Sequence, residues 1–176
     1  MRVWIGVALM SLLAAAATAQ PVVLAPYSPT PTDVVERMLK LAGVRPSDVV
    51  YDLGCGDGRI VITAARLFGA RGVGLDIDPV LIARAQAGAK QAGVESLVTF
   101  RVQDAMTVDL SDATVVTLYL LAASNVKLRP ILTKALRPGA RIVAHNYPIG
   151  DWEPDVVDTF TDAAGTTRTL FLWQIR

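Results

Sequence analysis

Cysteine and histidine each occur once, as Cys55 and His145. A single thiol excludes an internal disulfide, and with one imidazole there is no framework for a metal site, so no metal is expected. Neither sign of charge dominates. The 17 basic side chains meet 16 acidic ones, for a formal net charge of +1. That balance supplies no basic footprint for a phosphate backbone, so nucleic acid is not an expected partner. Repeats and low-complexity blocks are missing as well, and 176 residues suffice for one α/β domain with a core. The one long apolar run, Val3 to Ala17, lies at the N-terminus behind Arg2, and Ala17-Thr18-Ala19 follows before Gln20. A positive start, a short apolar stretch and a small-x-small site read as a signal peptide over residues 1–19. Export to the periplasm or cell envelope is therefore expected. The run falls short of the roughly 20 residues of a spanning helix, which leaves an uncleaved membrane anchor as the alternative. Cleavage would remove Arg2 and no acid, leaving 16 basic against 16 acidic side chains.

What is present in abundance is a pattern. Residues 20–31 are punctuated by proline and read as extended. Thr30-Pro31-Thr32-Asp33 then opens a helix, with Thr30 as expected cap, and starts a domain over 32–176. Strands are expected at Val49–Leu53, Gly72–Leu75, Leu97–Phe100, Thr114–Leu120 and Ala140–Ala144. Helices are expected at Arg59–Phe68, from Pro79 with Val80, Leu81, Ala83 and Ala87 inward, and at Asn125–Leu136. Val156–Thr161 and Thr167–Ile175 read as a hairpin turning at Ala163-Ala164-Gly165. Alternating strands and helices predict an α/β fold, a mainly parallel sheet covered by helices on both faces.

The densest signal is Asp52-Leu53-Gly54-Cys55-Gly56-Asp57-Gly58-Arg59, where a hydrophobic strand ends on an acid and passes through three alternating glycines into a helix. Glycine allows positive φ and lets a ligand approach the backbone, and a loop at a helix N-terminus presents free N–H groups. A dinucleotide loop would have glycine where this chain has Arg59. Asp52, at the strand end, suits a cationic amine better than a pyrophosphate. Ligands of such sheets sit beyond the carboxyl ends of the strands, which gathers Asp52, the Gly54–Gly58 loop, Asp76, Asp104 and the end of the fourth strand on one rim. Asp76 ends the second strand, where a carboxylate accepts from ribose hydroxyls, while Asp78 caps the next helix.

Asp-x-Gly-x-Gly-x-Gly resembles motif I of the class I S-adenosylmethionine-dependent methyltransferases. The likeness extends through Ala25-Pro26-Tyr27-Ser28-Pro29, Gly56-Asp57-Gly58-Arg59-Ile60-Val61 and Asp151-Trp152-Glu153-Pro154-Asp155, in that order. Together these resemble the protein-lysine methyltransferases that modify the adenine nucleotide translocase and the ATP synthase c-subunit, and their small bacterial relatives. The resemblance implies a Rossmann-like seven-stranded sheet of order 3-2-1-4-5-7-6 ending in a C-terminal β-hairpin. It implies S-adenosyl-L-methionine as cofactor, bound by Asp52, Gly54, Cys55, Gly56, Gly58, Asp76, Ile77, Asp104, Ala105 and Leu120. It implies methyl transfer to a protein amine, a lysine, with membrane proximity, since those relatives modify membrane-embedded proteins. Tyr27, Asn146, Tyr147 and Trp152 are the candidate catalytic residues, as the lining of the acceptor site, and Tyr119 and His145 are polar neighbours of the same mouth. The chain departs from the pattern at Ala122-Ala123-Ser124, where many relatives carry proline, and it has no Asn-Pro-Pro-Tyr or Asp-Pro-Pro-Tyr segment. Two other readings stand beside this one. The first is an exported, non-catalytic binding module on the same scaffold, since the cofactor is made in the cytoplasm. The second is a nicotinamide-dependent oxidoreductase, against which Arg59 argues.

Overall fold

A computed structural model describes residues 23–176; the expected signal peptide lies outside the described residues. The elements in chain order are α1 (Thr32–Leu41), β1 (Val49–Leu53), α2 (Arg59–Phe68), β2 (Arg71–Asp76), α3 (Pro79–Gln91), β3 (Val98–Val102), a 3-10 turn (Ala105–Thr107), β4 (Val115–Leu118), α4 (Ala122–Ala135), β5 (Arg141–His145), β6 (Val156–Thr161) and β7 (Thr167–Gln174). They form one seven-stranded sheet of order β3-β2-β1-β4-β5-β7-β6, as expected. The first five strands pair in parallel, and β7 runs antiparallel to both β5 and β6. The terminal hairpin pairs its own strands antiparallel, and it docks through β7 rather than β6, so the parallel run stops at β5.

Period-two alternation distributes the apolar residues between the two faces. Leu53, Leu118 and Ile142 point to the side covered by α4, where Leu128, Leu132 and Trp173 complete a core. Val50, Val115 and Val143 point to the other side, onto Val34, Val35, Met38 and Leu39 of α1. A third cluster joins Val61 and Ala65 of α2 to Ile82 and Ala85 of α3 around Phe100. Strand order reverses about β1, whose neighbours are β2 and β4. Its carboxyl end therefore opens the crevice where such sheets bind ligands.

Several local expectations give way to tertiary contacts. Helix α1 starts at Thr32 with Pro31 as its cap residue, and no side chain caps it. Asp33 instead accepts from the Ala163 amide across the molecule at 2.7 Å. Asp78 does cap α3, accepting from Val80 N at 2.7 Å. The face α3 buries, however, is Leu81, Ile82, Ala85 and Ala89, and Val80 is 57% exposed. In an alanine-rich helix the hydrophobic stripe is weakly marked, so docking on β3 decides which side is inward. Helix α4 begins three residues before Asn125, and β4 ends at Leu118, freeing Tyr119 and Leu120 to turn into the crevice.

Candidate active site

The glycine loop is built to be packed against. Gly54, Gly56 and Gly58 all take positive φ, at 83°, 54° and 77°. At Gly56 a Cβ would stand 2.7 Å from Cε2 of Tyr27. At Gly58 it would stand 2.6–2.8 Å from the Phe100 ring and the Ala85 methyl group. Gly54 gives way to Leu120 in the same manner. The sequence suggested glycines cleared for a ligand and N–H groups aimed at it, and the structure corrects this. The amides of Gly54 and Cys55 both donate to Leu75 O at 2.8 Å, and that of Gly58 donates to Cys55 O. The Gly56 amide donates to Asp76 Oδ2 at 2.9 Å, and the Arg59 amide to Asp57. A phosphate cradle needs such donors free; these are already engaged.

Beyond the loop lies a cavity of about 320 Å³, within the range of small-molecule sites, roughly 300–1,000 Å³. Its charged lining is Asp52, Asp57, Asp76 and Asp78 against Arg59 alone. Arg59 is itself consumed by Asp57, gripping it from Nε and Nη2 at 2.6–3.2 Å. Burial alone would lift the Asp57 carboxyl, but the hydrogen bonds and charge of Arg59 outweigh it and hold Asp57 below the usual carboxylate range. Among the described residues of the lining, three carboxylates thus remain without a cation. Asp52 is the most deeply placed, 2% exposed, and it accepts one hydrogen bond, from Thr117 Oγ1 at 2.7 Å. Burial pushes its pKa up, the Thr117 bond pulls part of the way back, and Asp76 and Asp57 add to the rise, leaving it at about 7. A buried carboxylate in that position favours a cationic partner and disfavours an anionic one.

Asp76 is oriented rather than loose. Its two oxygens accept from Gly56 N and from Asp78 N at 2.9 and 3.0 Å, and each keeps acceptor capacity toward the cavity. Ile77 follows it in the lining, as do Leu120 and Ala105 at the ends of neighbouring strands. Asp104 accepts from Met106 N at 2.8 Å and so caps the 3-10 turn. At this strand end its neighbours Gln103 and Ala105 line the cavity. Cys55 lines the cavity too, but burial and then the charges of Asp52 and Asp76 push its thiol far up, so it stays protonated. Gly58 stands outside the lining and serves the packing of α2 against Phe100.

Tyr27 sits where the resemblance implies, in the wall, with its ring on Gly56. Burial, then the nearby Asp57 carboxylate, raises its pKa, so the phenol keeps its proton. Asn146, Tyr147 and Trp152 are not brought to the cavity. Asn146 holds φ 61° and latches β7, accepting from Thr169 N while its own amide donates to Thr169 O. The Tyr147 carbonyl accepts from Asn125, and its ring points outward. Trp152 packs on Trp173, with ring centroids 5.9 Å apart, and its carbonyl accepts from the Trp173 indole. These positions fasten the chain between β5 and the hairpin. Tyr119 does line the cavity, with His145 stacked behind it at 4.1 Å. Burial, then Arg168, depresses the His145 pKa to about 4, against a smaller opposing effect of Asp162.

Thr117, Gln103 and Leu81 were not legible as site residues. Thr117 reaches Asp52 only through the β1–β4 register, and its one sequence signal is a hydroxyl within an apolar strand.

The chain has relatives among known proteins along most of its length. A family model described as the ANTKMT methyltransferase domain matches residues 52–156. A protein-lysine N-methyltransferase of Saccharolobus islandicus (strain REY15A) is 44% identical over 151 residues, 85% of this chain and 93% of that protein. The ATP synthase c-subunit lysine N-methyltransferase of Xenopus laevis is 32% identical over 151 residues, 86% of this chain but 65% of the relative. This chain therefore spans just under two thirds of the length of the Xenopus protein. Among solved structures, an RNA methyltransferase from Salinibacter ruber in complex with S-adenosyl-L-homocysteine is 54% identical, with a TM-score of 0.79, covering 84% of this chain and 94% of the other.

Proposed function

The chain belongs to the ANTKMT methyltransferase family and is an S-adenosylmethionine-dependent methyltransferase; on that premise we propose that its acceptor is the amine of a protein lysine. One observation carries the reading: an acidic cavity, floored by the buried Asp52, beside a loop in which the amides of Gly54, Cys55, Gly56 and Gly58 are already bonded within the protein. Polyphosphate ligands are opposed on both counts, and a cationic cofactor and a basic acceptor are favoured. The lysine specificity named for the Saccharolobus relative supports the acceptor. So does the even charge balance, which supplies no footprint for the RNA named for the Salinibacter protein.

The residues present fit the cofactor, because Asp52 has one donor and a raised pKa that a cation would relieve. Bound S-adenosylmethionine supplies a methyl group on a sulfonium, and the protein's task is alignment. Asp52 would set a counter-charge for the amino group, and Asp76, fixed by two backbone amides, would accept from ribose hydroxyls. Gln103 and Ala105 would border the adenine. Tyr27, Tyr119 and the residues of 23–26 line the mouth. A lysine, pKa about 10.4 in water, enters by leaving solvent, and desolvation favours its neutral, nucleophilic form.

Calorimetry with S-adenosylhomocysteine and with NADH, and incubation of the protein with [methyl-³H]S-adenosylmethionine and a cell extract, test the reading together. Binding of the first ligand only, with label recovered as methyllysine in protein, is expected. Label recovered in RNA, or no binding of S-adenosylhomocysteine, refutes it. The apolar run Val3–Ala17 supports export, and with it a second reading as a non-catalytic module in a compartment poor in cofactor. Mass measurement of the mature protein separates a chain starting at Gln20 from one retaining an N-terminal anchor, and any turnover removes the non-catalytic reading.

A further inference from the structure

Residues 23–31 are neither helix nor strand, and among the described residues their one backbone–backbone hydrogen bond is the Val35 amide to Pro31 O. Nevertheless Val23 through Thr30 form a continuous wall of the cavity. A segment with no ladder of its own belongs to the low end of local stability unless side chains tie it down. Leu24 buries its side chain in the α4-side core. Beyond that, two donors from distant parts of the chain hold the segment by its carbonyls. Ser124 Oγ, in the first turn of α4, donates to Leu24 O. Arg59 Nη1 donates to Thr30 O at 3.0 Å, while the rest of the guanidinium grips Asp57. Tyr27 stands midway between these two ties, with its ring on Gly56.

We propose that Ser124 and Arg59 are positioning residues of the methyl-transfer site, pinning the two ends of this strap so that Tyr27 stays seated on the glycine loop and retains the bound cofactor. The inference rests on the cofactor reading above. Ser124 is buried and outside the cavity lining, so its influence on the ligand passes through the strap. Arg59 suits the other end because its planar fork holds separate nitrogens in fixed positions, Nε and Nη2 on Asp57 and Nη1 on Thr30 O, a spacing that the single nitrogen of an ammonium does not reproduce. The three prolines at 26, 29 and 31 limit the conformations of a released strap, so release and reseating involve a stiff segment.

Stopped-flow measurement of S-adenosylhomocysteine dissociation tests this. Ser124→Ala should raise the dissociation rate about threefold to tenfold, the effect of one net hydrogen bond. Tyr27→Ala should raise it at least as much, and the double variant should dissociate no faster than Tyr27→Ala alone. Arg59→Lys, tested in parallel, should also raise the rate, and it serves if Ser124→Ala does not fold. An unchanged rate in a folded Ser124→Ala or Arg59→Lys protein overturns the proposal. So does a double variant in which the two effects multiply, since that places Ser124 outside the route through Tyr27. Failure of the unsubstituted protein to bind S-adenosylhomocysteine refutes the cofactor reading instead.

Discussion

Replacing Asp52 by asparagine should make the cofactor-free protein more stable while weakening its affinity for the cofactor. The unfolded Asp52 titrates near 3.8 and the folded one at about 7. Between those values the folded state keeps a proton that the unfolded state has lost, so stability falls as pH rises through the window and levels off above it. At 1.36 kcal/mol for each pKa step, ionised Asp52 costs the cofactor-free fold on the order of 4 kcal/mol, an upper figure because relaxation of the cavity reduces it. Asparagine has the same shape, can still accept from Thr117 Oγ1, and carries no charge. Urea denaturation at pH 8 should show Asp52→Asn more stable by about 2–4 kcal/mol, with the advantage vanishing near pH 4. The same substitution removes the counter-charge. A hydrogen bond to a charged group contributes roughly 1.5–3 kcal/mol, so affinity for S-adenosylmethionine should fall about 10- to 150-fold. Binding to the unsubstituted protein below pH 7 should also expel the Asp52 proton, so the calorimetric heat should vary with the ionisation enthalpy of the buffer. A variant no more stable at pH 8, with affinity intact, would refute the assignment of Asp52 as the unpaired charge of the site.

Gly58→Ala should destabilise the fold by about 2–4 kcal/mol in the same assay, combining strain at φ 77° with a Cβ driven into Phe100 and Ala85. The single histidine permits a clean proton NMR titration. The His145 ring should stay neutral down to about pH 4. Because its folded pKa lies below the unfolded 6.5, stability from this group should be lost as pH falls from 6.5 through 4, opposite in sign to Asp52. His145→Phe should remove that acid-side loss. Cys55 should resist maleimide in the native protein and react fully in urea, as expected of a thiol that burial and neighbouring carboxylates keep protonated.

The strands were readable because buried parallel strands are continuous apolar runs, whereas their order was implied only by the family resemblance, since alternating strands and helices leave several orders open. Asp52 and Asp76 were readable because strand ends and glycine turns are marked locally. The chain between β5 and the hairpin was misleading. Asn146, Tyr147 and Trp152 follow a strand end, as site residues do, yet Asn146 and Trp152 fasten β7 and Tyr147 is held by Asn125 of α4. Helix α1 shows the same limit, since its sequence offers Thr30 as a cap, yet no side chain caps it and Asp33 bonds to Ala163, 130 residues away.

Local sequence by itself determined that a strand would meet a left-handed glycine turn and a helix, with an acid at the junction, because backbone conformation there depends on which residues lack a Cβ. Tertiary structure alone decided what that junction faces. Leu120, Tyr27 and Phe100 arrive from three remote segments to fill the spaces the glycines leave, and Leu75 and Asp76 take up the loop amides. Among the described residues, Thr117 becomes the one donor to Asp52. Burial is a property of the assembled neighbours and not of any short segment, so the raised pKa of Asp52, and with it the preference for a cation, exists only once the sheet and the strap have closed around it.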